Sequence, residues 1–351
     1  PVPIGSLILK NRFIMSWTGA SPFFAGRASN MRTLPVIDFS AFAPHGRKGE
    51  AGARHAVAEA MGKACRQNGF FLLANHGLDT NVTEQAFAQA AQFFDQPLAA
   101  KQRISIERSP CHRGWFGHGQ EVLDAKAQAQ GDAKEGLKIG RDLPLDHPLV
   151  AAGVPLHGPN QWPEQSGFKT AMQAAYAQCE TLSRQLMQGF ALSLGLDDTH
   201  FEPWLKLPMA TLAPLRYPPQ QDEALLGAGA HTDFGCLTLL MQKEEPGLEI
   251  LTADGDWMAV PAAPDLLVVN IGDMMARWTH NKYASTRHRV VNRSGRTRHS
   301  MAYFFDPDAK ADLSPLPNCL ADGETGPDET ATALEHLLMK IEQSFAYRQE
   351  S

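Results

Sequence analysis

Three residues of metal-binding type stand where they can meet. His231 and Asp233 lie in His231-Thr-Asp-Phe-Gly235, and His288 lies in Thr286-Arg-His-Arg-Val290. Side chains on a β-strand alternate faces, so positions i and i+2 point the same way; His231 and Asp233 converge and Thr232 turns away. Cys236-Leu-Thr-Leu-Leu-Met241 follows, apolar and partly β-branched, as a buried strand would be. Ala230 to Gln242 is therefore predicted as strand, with His-x-Asp as a two-pronged arm. Two neutral imidazoles and one carboxylate with coordination positions left open suit a non-haem Fe(II) oxygenase.

Downstream of His288, Val290-Val291, the turn-like Asn292-Arg-Ser-Gly295 and the strand-like Ser300-Met-Ala-Tyr-Phe-Phe305 read as a hairpin. Centred near Arg293, it sets His288 opposite Arg298, with Cβ atoms roughly 5 Å apart. Arg298 and Ser300 share the histidine's face. An arginine there suggests an acid-bearing cosubstrate, because its planar fork grips a carboxylate through two parallel charge-assisted hydrogen bonds.

His231/Asp233, His288 and Arg298-His-Ser300 resemble the motifs of the isopenicillin-N-synthase-like branch of the iron(II)/2-oxoglutarate-dependent dioxygenases. Leu34-Pro-Val-Ile-Asp-Phe39 and Asn68-Gly-Phe-Phe-Leu-Leu-Ala-Asn-His-Gly77 are similar to that family's N-terminal signatures. Leu215-Arg-Tyr-Pro218 stands where relatives carry Asn-Tyr-Tyr-Pro; Tyr217 and Pro218 match, and Arg216 is left open. Trp278-Thr-His-Asn-Lys-Tyr-Ala-Ser-Thr-Arg-His288 also resembles family sequence, with His280 where Asn is usual. His288 is preferred to His280 as ligand because it alone stands opposite Arg298.

The resemblance implies a mixed α/β fold with a mainly β core, a double-stranded β-helix (jelly roll) flanked by helices. It implies Fe(II) held by His231, Asp233 and His288, with 2-oxoglutarate as cosubstrate and O2 as oxidant. The distal carboxylate of 2-oxoglutarate would meet Arg298, Ser300 and Tyr217. Oxidative decarboxylation to succinate and CO2 would be coupled to hydroxylation or desaturation of a small organic substrate. One alternative is a 2-oxoglutarate-independent iron oxidase, in which Arg298 and Ser300 hold the substrate's own carboxylate. The other is a non-catalytic module stapled by a metal, against which stands the absence of cysteine near His288, since structural zinc sites are closed by four ligands rich in Cys. The motifs leave open whether the substrate is an amino acid, a terpenoid acid or an aromatic; Phe234 and Phe304 are candidate pocket walls.

The chain has 351 residues, 43% of them apolar, enough for one large core. Net charge is −6; without residues 1–30, which carry three basic groups and no acid, it is 29 − 38 = −9, which argues against a nucleic-acid partner. Five scattered cysteines without a C-x-x-C pair suggest a reduced, cytoplasmic protein, and no apolar run reaches membrane-span length. A monomer with no nucleic-acid or membrane partner is expected.

Residues 1–30 are expected to be a non-core leader, with Met31 the native start, and 31–351 a single oxygenase domain. Within it, 31–200 is mostly helical, 201–310 forms the jelly-roll core with the metal site, and 311–351 is a helical tail. Helices are predicted over Glu50–Gln67, closed by Gly69, over Thr83–Phe94, and over Phe168–Leu194 against the back of the sheet. Phe70 to Asn75 should be a strand, and His76 after it structural. Residues 105–163, rich in Gly, Pro and His, read as a long lid or binding loop whose segments Arg113-Gly-Trp-Phe116, Gly119-Gln-Glu121, Asp132-Ala-Lys-Glu135 and His157-Gly-Pro-Asn-Gln-Trp-Pro163 could face the substrate. Short strands are predicted at Ala210–Tyr217, Leu248–Thr252, Trp257–Val260, Leu266–Ile271, His288–Val291 and Arg298–Phe305. Thr330 to Phe345 is an amphipathic helix by spacing, expected on the outside.

Overall fold

Along the chain run β1 (Val36–Asp38), α1 (Ala53–Gln67), β2 (Phe70–Ala74), α2 (Thr80–Phe94), α3 (Leu98–Gln102), β3 (Gly114–Phe116), β4 (Glu135–Gly140), α4 (Pro148–Ala151) and α5 (Phe168–Ser193). After them come β5 (Thr211–Tyr217), β6 (Ala228–His231), β7 (Leu237–Gln242), β8 (Leu248–Leu251), β9 (Trp257–Ala259), β10 (Leu267–Ile271), α6 (Asp273–Trp278), β11 (His288–Val290), β12 (Arg298–Phe305) and α7 (Ala333–Ser344). The computed structural model describes residues 33–42, 52–128, 130–219, 225–324 and 331–345. The expectations for residues 1–30 and for Met31 as the start lie outside the described residues.

The strands form an eight-stranded sheet, in the order β1-β2-β10-β7-β12-β5-β4-β3, and a four-stranded one, β6-β11-β8-β9. Every pairing is antiparallel except β1 with β2. This is the double-sheet jelly roll that the resemblance implies.

The helices follow from the apolar periodicity. α1 buries Ala58, Met61, Ala64 and Cys65 and ends at Gly69, whose φ of +66° lets its N–H return to Ala64 O at 3.1 Å. A side chain could not fit there, because a Cβ on Gly69 would collide with Ala284 O. α5 lies on the back of the large sheet, its Tyr176 ring edge-on to Tyr303 of β12 with centroids 5.1 Å apart. Residues of β12 therefore sort by parity: Met301, Tyr303 and Phe305 are buried toward the helices, whereas Arg298, Ser300, Ala302 and Phe304 line a cavity of about 160 Å3 on the other face.

Four expectations need correction. Ala230–Gln242 is not one strand: β6 belongs to the small sheet, β7 to the large one, and Asp233 lies in the crossover between them. Gly235 permits that crossing, since a Cβ on it would overlap Asp306 Oδ1. Nor do β11 and β12 form a hairpin. His288 pairs with His231 and Ile250, and Arg298 with Tyr217, because the chain again changes sheets at Asn292–Arg296. A double-sheet fold buries both faces of a local apolar pattern, so adjacent strand-like runs need not pair.

Residues 105–163 are more than a loop: β3 and β4 extend the large sheet beyond β5. Ahead of them Lys101 is buried in α3 with Nζ 2.8 Å from Glu135 Oε2. Finally, α7 is not an outer layer. Leu337 and Ile341, with Phe345 just past its end, form part of the cavity wall, and Val122 N–H donates to Ser344 O at 2.8 Å.

Candidate metal and carboxylate site

His231 ends β6 and His288 begins β11, and the two are direct register partners, their rings 4.3 Å apart between centroids. Each ring is oriented from behind by its own chain: His231 Nδ1 lies 2.7 Å from Gly229 O, and His288 Nδ1 3.1 Å from Thr286 O. Carbonyls accept only from N–H, so both rings carry the proton on Nδ1 and turn the Nε2 lone pair inward.

Inward lies Asp233. Its Oδ1 is 3.7 Å from His231 Nε2 and 3.5 Å from His288 Nε2. Its Oδ2 is taken up by Thr238 Oγ1 and Asn270 Nδ2, both donating at 2.6 Å. Thr238 and Asn270 are cross-strand partners on β7 and β10, so the ladder itself delivers two donors to one oxygen. The loop position of Asp233 thus replaces the expected strand alternation without loss of convergence.

The three groups offer ligand atoms within 4.8 Å of one another, and they are the one such cluster of His, Cys, Asp or Glu among the described residues. Ligands at neighbouring positions of an ion with bonds of ~2.1 Å stand ~3 Å apart, so a small inward adjustment completes the site. The shifts of His231 and Asp233 suit a cation. Burial pushes His231 down to about 3, and the neighbouring His288 adds to this. Burial would also raise Asp233, but His288, His231 and the Asn270 hydrogen bond hold it well below the usual carboxylate range. For His288, burial is outweighed by the Asp233 carboxylate, which raises it.

Arg298 is fully buried in the same cavity. Its guanidinium donates to Gln242 Oε1 at 2.9 Å and Ser300 Oγ at 3.2 Å, and Tyr217's ring lies against it at 4.9 Å. Among the described residues its Nε has no partner and no carboxylate pairs with it. Gly247 makes room: at φ +154° it passes so close that a Cβ would stand 3.1 Å from Arg298 Cδ. A buried guanidinium without a counter-ion is costly unless a ligand supplies the anion, so this group fits an incoming carboxylate.

Other candidates fall away from this centre. His280 Nε2 meets Glu324 Oε1 at 2.9 Å near the surface, and His76 Nδ1 accepts the Leu78 N–H at 3.2 Å. Arg216 points to the opposite face of β5, where it pairs with Glu135 and, at 2.7 Å, with Asp95. Phe234 and Phe304 line the cavity as proposed from sequence.

Sequence reasoning missed Thr238, Asn270 and Gln242, and also Lys138 on the cavity wall, whereas Glu121 and Lys134 on that wall belong to segments expected to face the substrate. A signal existed for the first two: each is a lone polar residue in an apolar run. Lys134 pairs with Glu121 at 2.8 Å and with Asp132 Oδ2 at 2.5 Å, while Asp132 Oδ1 accepts the Gly229 N–H at 3.0 Å. Gly229 is the residue whose carbonyl orients His231, so this buried ion cluster steadies that imidazole through one residue.

The segment 34–165 matches the family model described as the non-haem dioxygenase in morphine synthesis N-terminal region, and 209–307 matches that of the 2OG-Fe(II) oxygenase superfamily. The 2-oxoglutarate-Fe(II) type oxidoreductase hxnY of Emericella nidulans is 35% identical over 333 residues, covering 90% of this chain and 93% of its own. Clavatol oxidase claD of Penicillium crustosum is 33% identical over 338 residues, covering 89% and 97%. Among solved structures, a full-length Neurospora crassa protein crystallised in complex with alpha-KG superposes with a TM-score of 0.77 at 29% identity, covering 88% of this chain and 96% of that one.

Proposed function

The chain belongs to the 2OG-Fe(II) oxygenase superfamily, and from this we propose that His231, Asp233 and His288 hold its iron and that Arg298, Ser300 and Tyr217 hold the distal carboxylate of its cosubstrate. It is an oxidoreductase dependent on Fe(II) and 2-oxoglutarate that uses O2. When bound, iron and 2-oxoglutarate supply the chemistry: decarboxylation to succinate and CO2, coupled to hydroxylation or desaturation of a small organic molecule.

The protein's part is positioning. Gly229 and Thr286 carbonyls fix the imidazoles, Thr238 and Asn270 fix the carboxylate, and one face of the triad is left open toward the cavity. Gln242, Ser300 and Tyr217 hold the Arg298 fork ready for a carboxylate, so little order is lost on binding. The apolar walls exclude water and strengthen that ion pair.

The observation that carries the reading is that every outward ligand atom of the triad is already satisfied while Nε2, Nε2 and Oδ1 converge. The test is an anaerobic visible spectrum of the apoprotein titrated with Fe(II) and then 2-oxoglutarate, repeated on His288→Ala. A weak charge-transfer band lost in the variant is expected; a band that persists would remove His288 from the ligand set.

The reading extends to a single catalytic domain over 31–351, acting as a cytoplasmic monomer on a small molecule. Five buried free cysteines support a reducing compartment, and no helix of the described residues is long and apolar enough to cross a membrane.

A further inference from the structure

The cavity holds a second buried arginine. Arg113, which precedes β3, is 5% exposed and lines the same cavity as Arg298. Among the described residues its guanidinium donates to two backbone carbonyls and no side chain, Leu156 O at 2.9 Å and His112 O at 3.3 Å. Its Nε is buried without a partner. Among the described residues no carboxylate pairs with it, and its ionisable neighbours are a thiol, Cys111, and a phenol, Tyr176. The side chain is nonetheless seated with care: the guanidinium lies flat on Gly140, where a Cβ would run into it. Conformational freedom does not explain that glycine, since it ends β4 without a positive φ; the close approach of Arg113 does.

The sheet register puts the two arginines at opposite ends. Arg298 pairs with Tyr217, whereas Gly140 pairs with Thr211 and Thr211 with Phe304. From Arg298 to Phe304 along β12 is roughly 20 Å at the ordinary strand rise. The carboxyl carbons of extended 2-oxoglutarate are ~5 Å apart by ordinary bond lengths, so one cosubstrate cannot serve both rows. Near Arg113 a further cation, Lys138, has its Nζ 3.4 Å from Glu121 and over the Phe304 ring at 5.2 Å. The surrounding wall is apolar: Leu156, Met209, Phe304, Leu337, Ile341 and Phe345.

We propose that Arg113 is the counter-ion for the primary substrate, and hence that the substrate is a small carboxylic acid with an apolar body, bound at the opposite end of the cavity from 2-oxoglutarate. This rests on the functional reading above, since it takes Arg298 as the cosubstrate's anchor. Two buried cations without carboxylates call for two anions. The carboxylate would lie against the Arg113 fork, with Lys138 beside it and the apolar body directed along the wall toward the open face of the triad.

The test uses the full chain loaded with Fe(II) under anaerobic conditions and saturated with 2-oxoglutarate, titrated calorimetrically with benzoate and with its neutral isostere benzamide. Benzoate is expected to bind at least about tenfold more tightly, as a charge-assisted contact would give, without displacing 2-oxoglutarate. Arg113→Gln should bring the two probes together while 2-oxoglutarate affinity stays within about twofold, and Arg298→Gln should do the reverse. Equal binding of the two probes, displacement of 2-oxoglutarate by benzoate, or an unchanged preference in Arg113→Gln would overturn the proposal. If that variant does not fold, the two probes on the unaltered protein decide. Failure of 2-oxoglutarate itself to bind would instead strike the assignment of the cosubstrate site.

Discussion

The two ends of the cavity are built from different kinds of chain. At one end Arg298, Ser300 and Tyr217 stand on β12 and β5, in an unbroken ladder that runs from Arg298↔Tyr217 to Phe304↔Thr211. At the other, Arg113 comes from residues 105–163, a segment that also brings Glu121, Lys134 and Lys138 to the cavity wall, closed by α7 from near the end of the chain. A regular ladder fixes neighbours by period, so a change there should act locally and on one ligand. The irregular end is fixed by buried charge and long-range packing, and a change there should be felt as stability and substrate choice.

The largest effect tests the part common to both ends. Asp233→Ala removes the carboxylate toward which both imidazoles turn, and turnover of 2-oxoglutarate should fall to background, with Fe(II) affinity lost beyond the roughly 10–100-fold typical of groups that only orient a ligand. Retained Fe(II) binding by calorimetry would break the assignment. Next, Arg298→Ala should weaken 2-oxoglutarate by roughly two to three decades, in line with about 3–5 kcal/mol for a broken buried pair, and Arg298→Lys by less, since it keeps the charge and loses the fork. Equal affinities in the two variants would refute the bidentate role.

Thr238→Val should lower Fe(II) affinity by roughly 10–100-fold while 2-oxoglutarate affinity of the saturated protein is kept. An unchanged metal affinity would reduce Thr238 to packing. The smallest effect is in the irregular segment 105–163. Burial alone would raise Glu121, but Lys134 and Lys138 bring it down to about 2 from 4.5. A depressed carboxyl stabilises the fold above its unfolded value and loses that contribution as pH falls through the folded one. Glu121→Gln should therefore melt below the parent protein at neutral pH, and the gap should close between pH 4.5 and about 2. A gap independent of pH would mean that the loss is one of packing.

Much of the site was legible because its residues are dictated by chemistry that few side chains can do. His231, Asp233, His288 and Arg298 were named from ligand type and motif, and the structure brings them into one cavity. The local geometry inferred for them was wrong twice, at the His-x-Asp strand and at the hairpin. Alternation and turn signals describe a strand and its sequence neighbour, but they contain nothing about which of two sheets a strand joins. Asn270 shows the limit from the other side. Its polar side chain in an apolar run was visible, but its partner is across the β7–β10 register and only then at Asp233 Oδ2.

By itself, then, the sequence determined the residue types proposed to bind metal and carboxylate, the helices with clear apolar stripes, and most strand positions, because each depends on side-chain chemistry or on contacts a few residues apart. Only the tertiary structure decided that β6 and β11 pair so that two histidines face each other, that α7 closes the cavity, and that Arg113 is buried without a counter-ion. These depend on contacts between segments distant in the chain, where burial and register, rather than local propensity, set the energy.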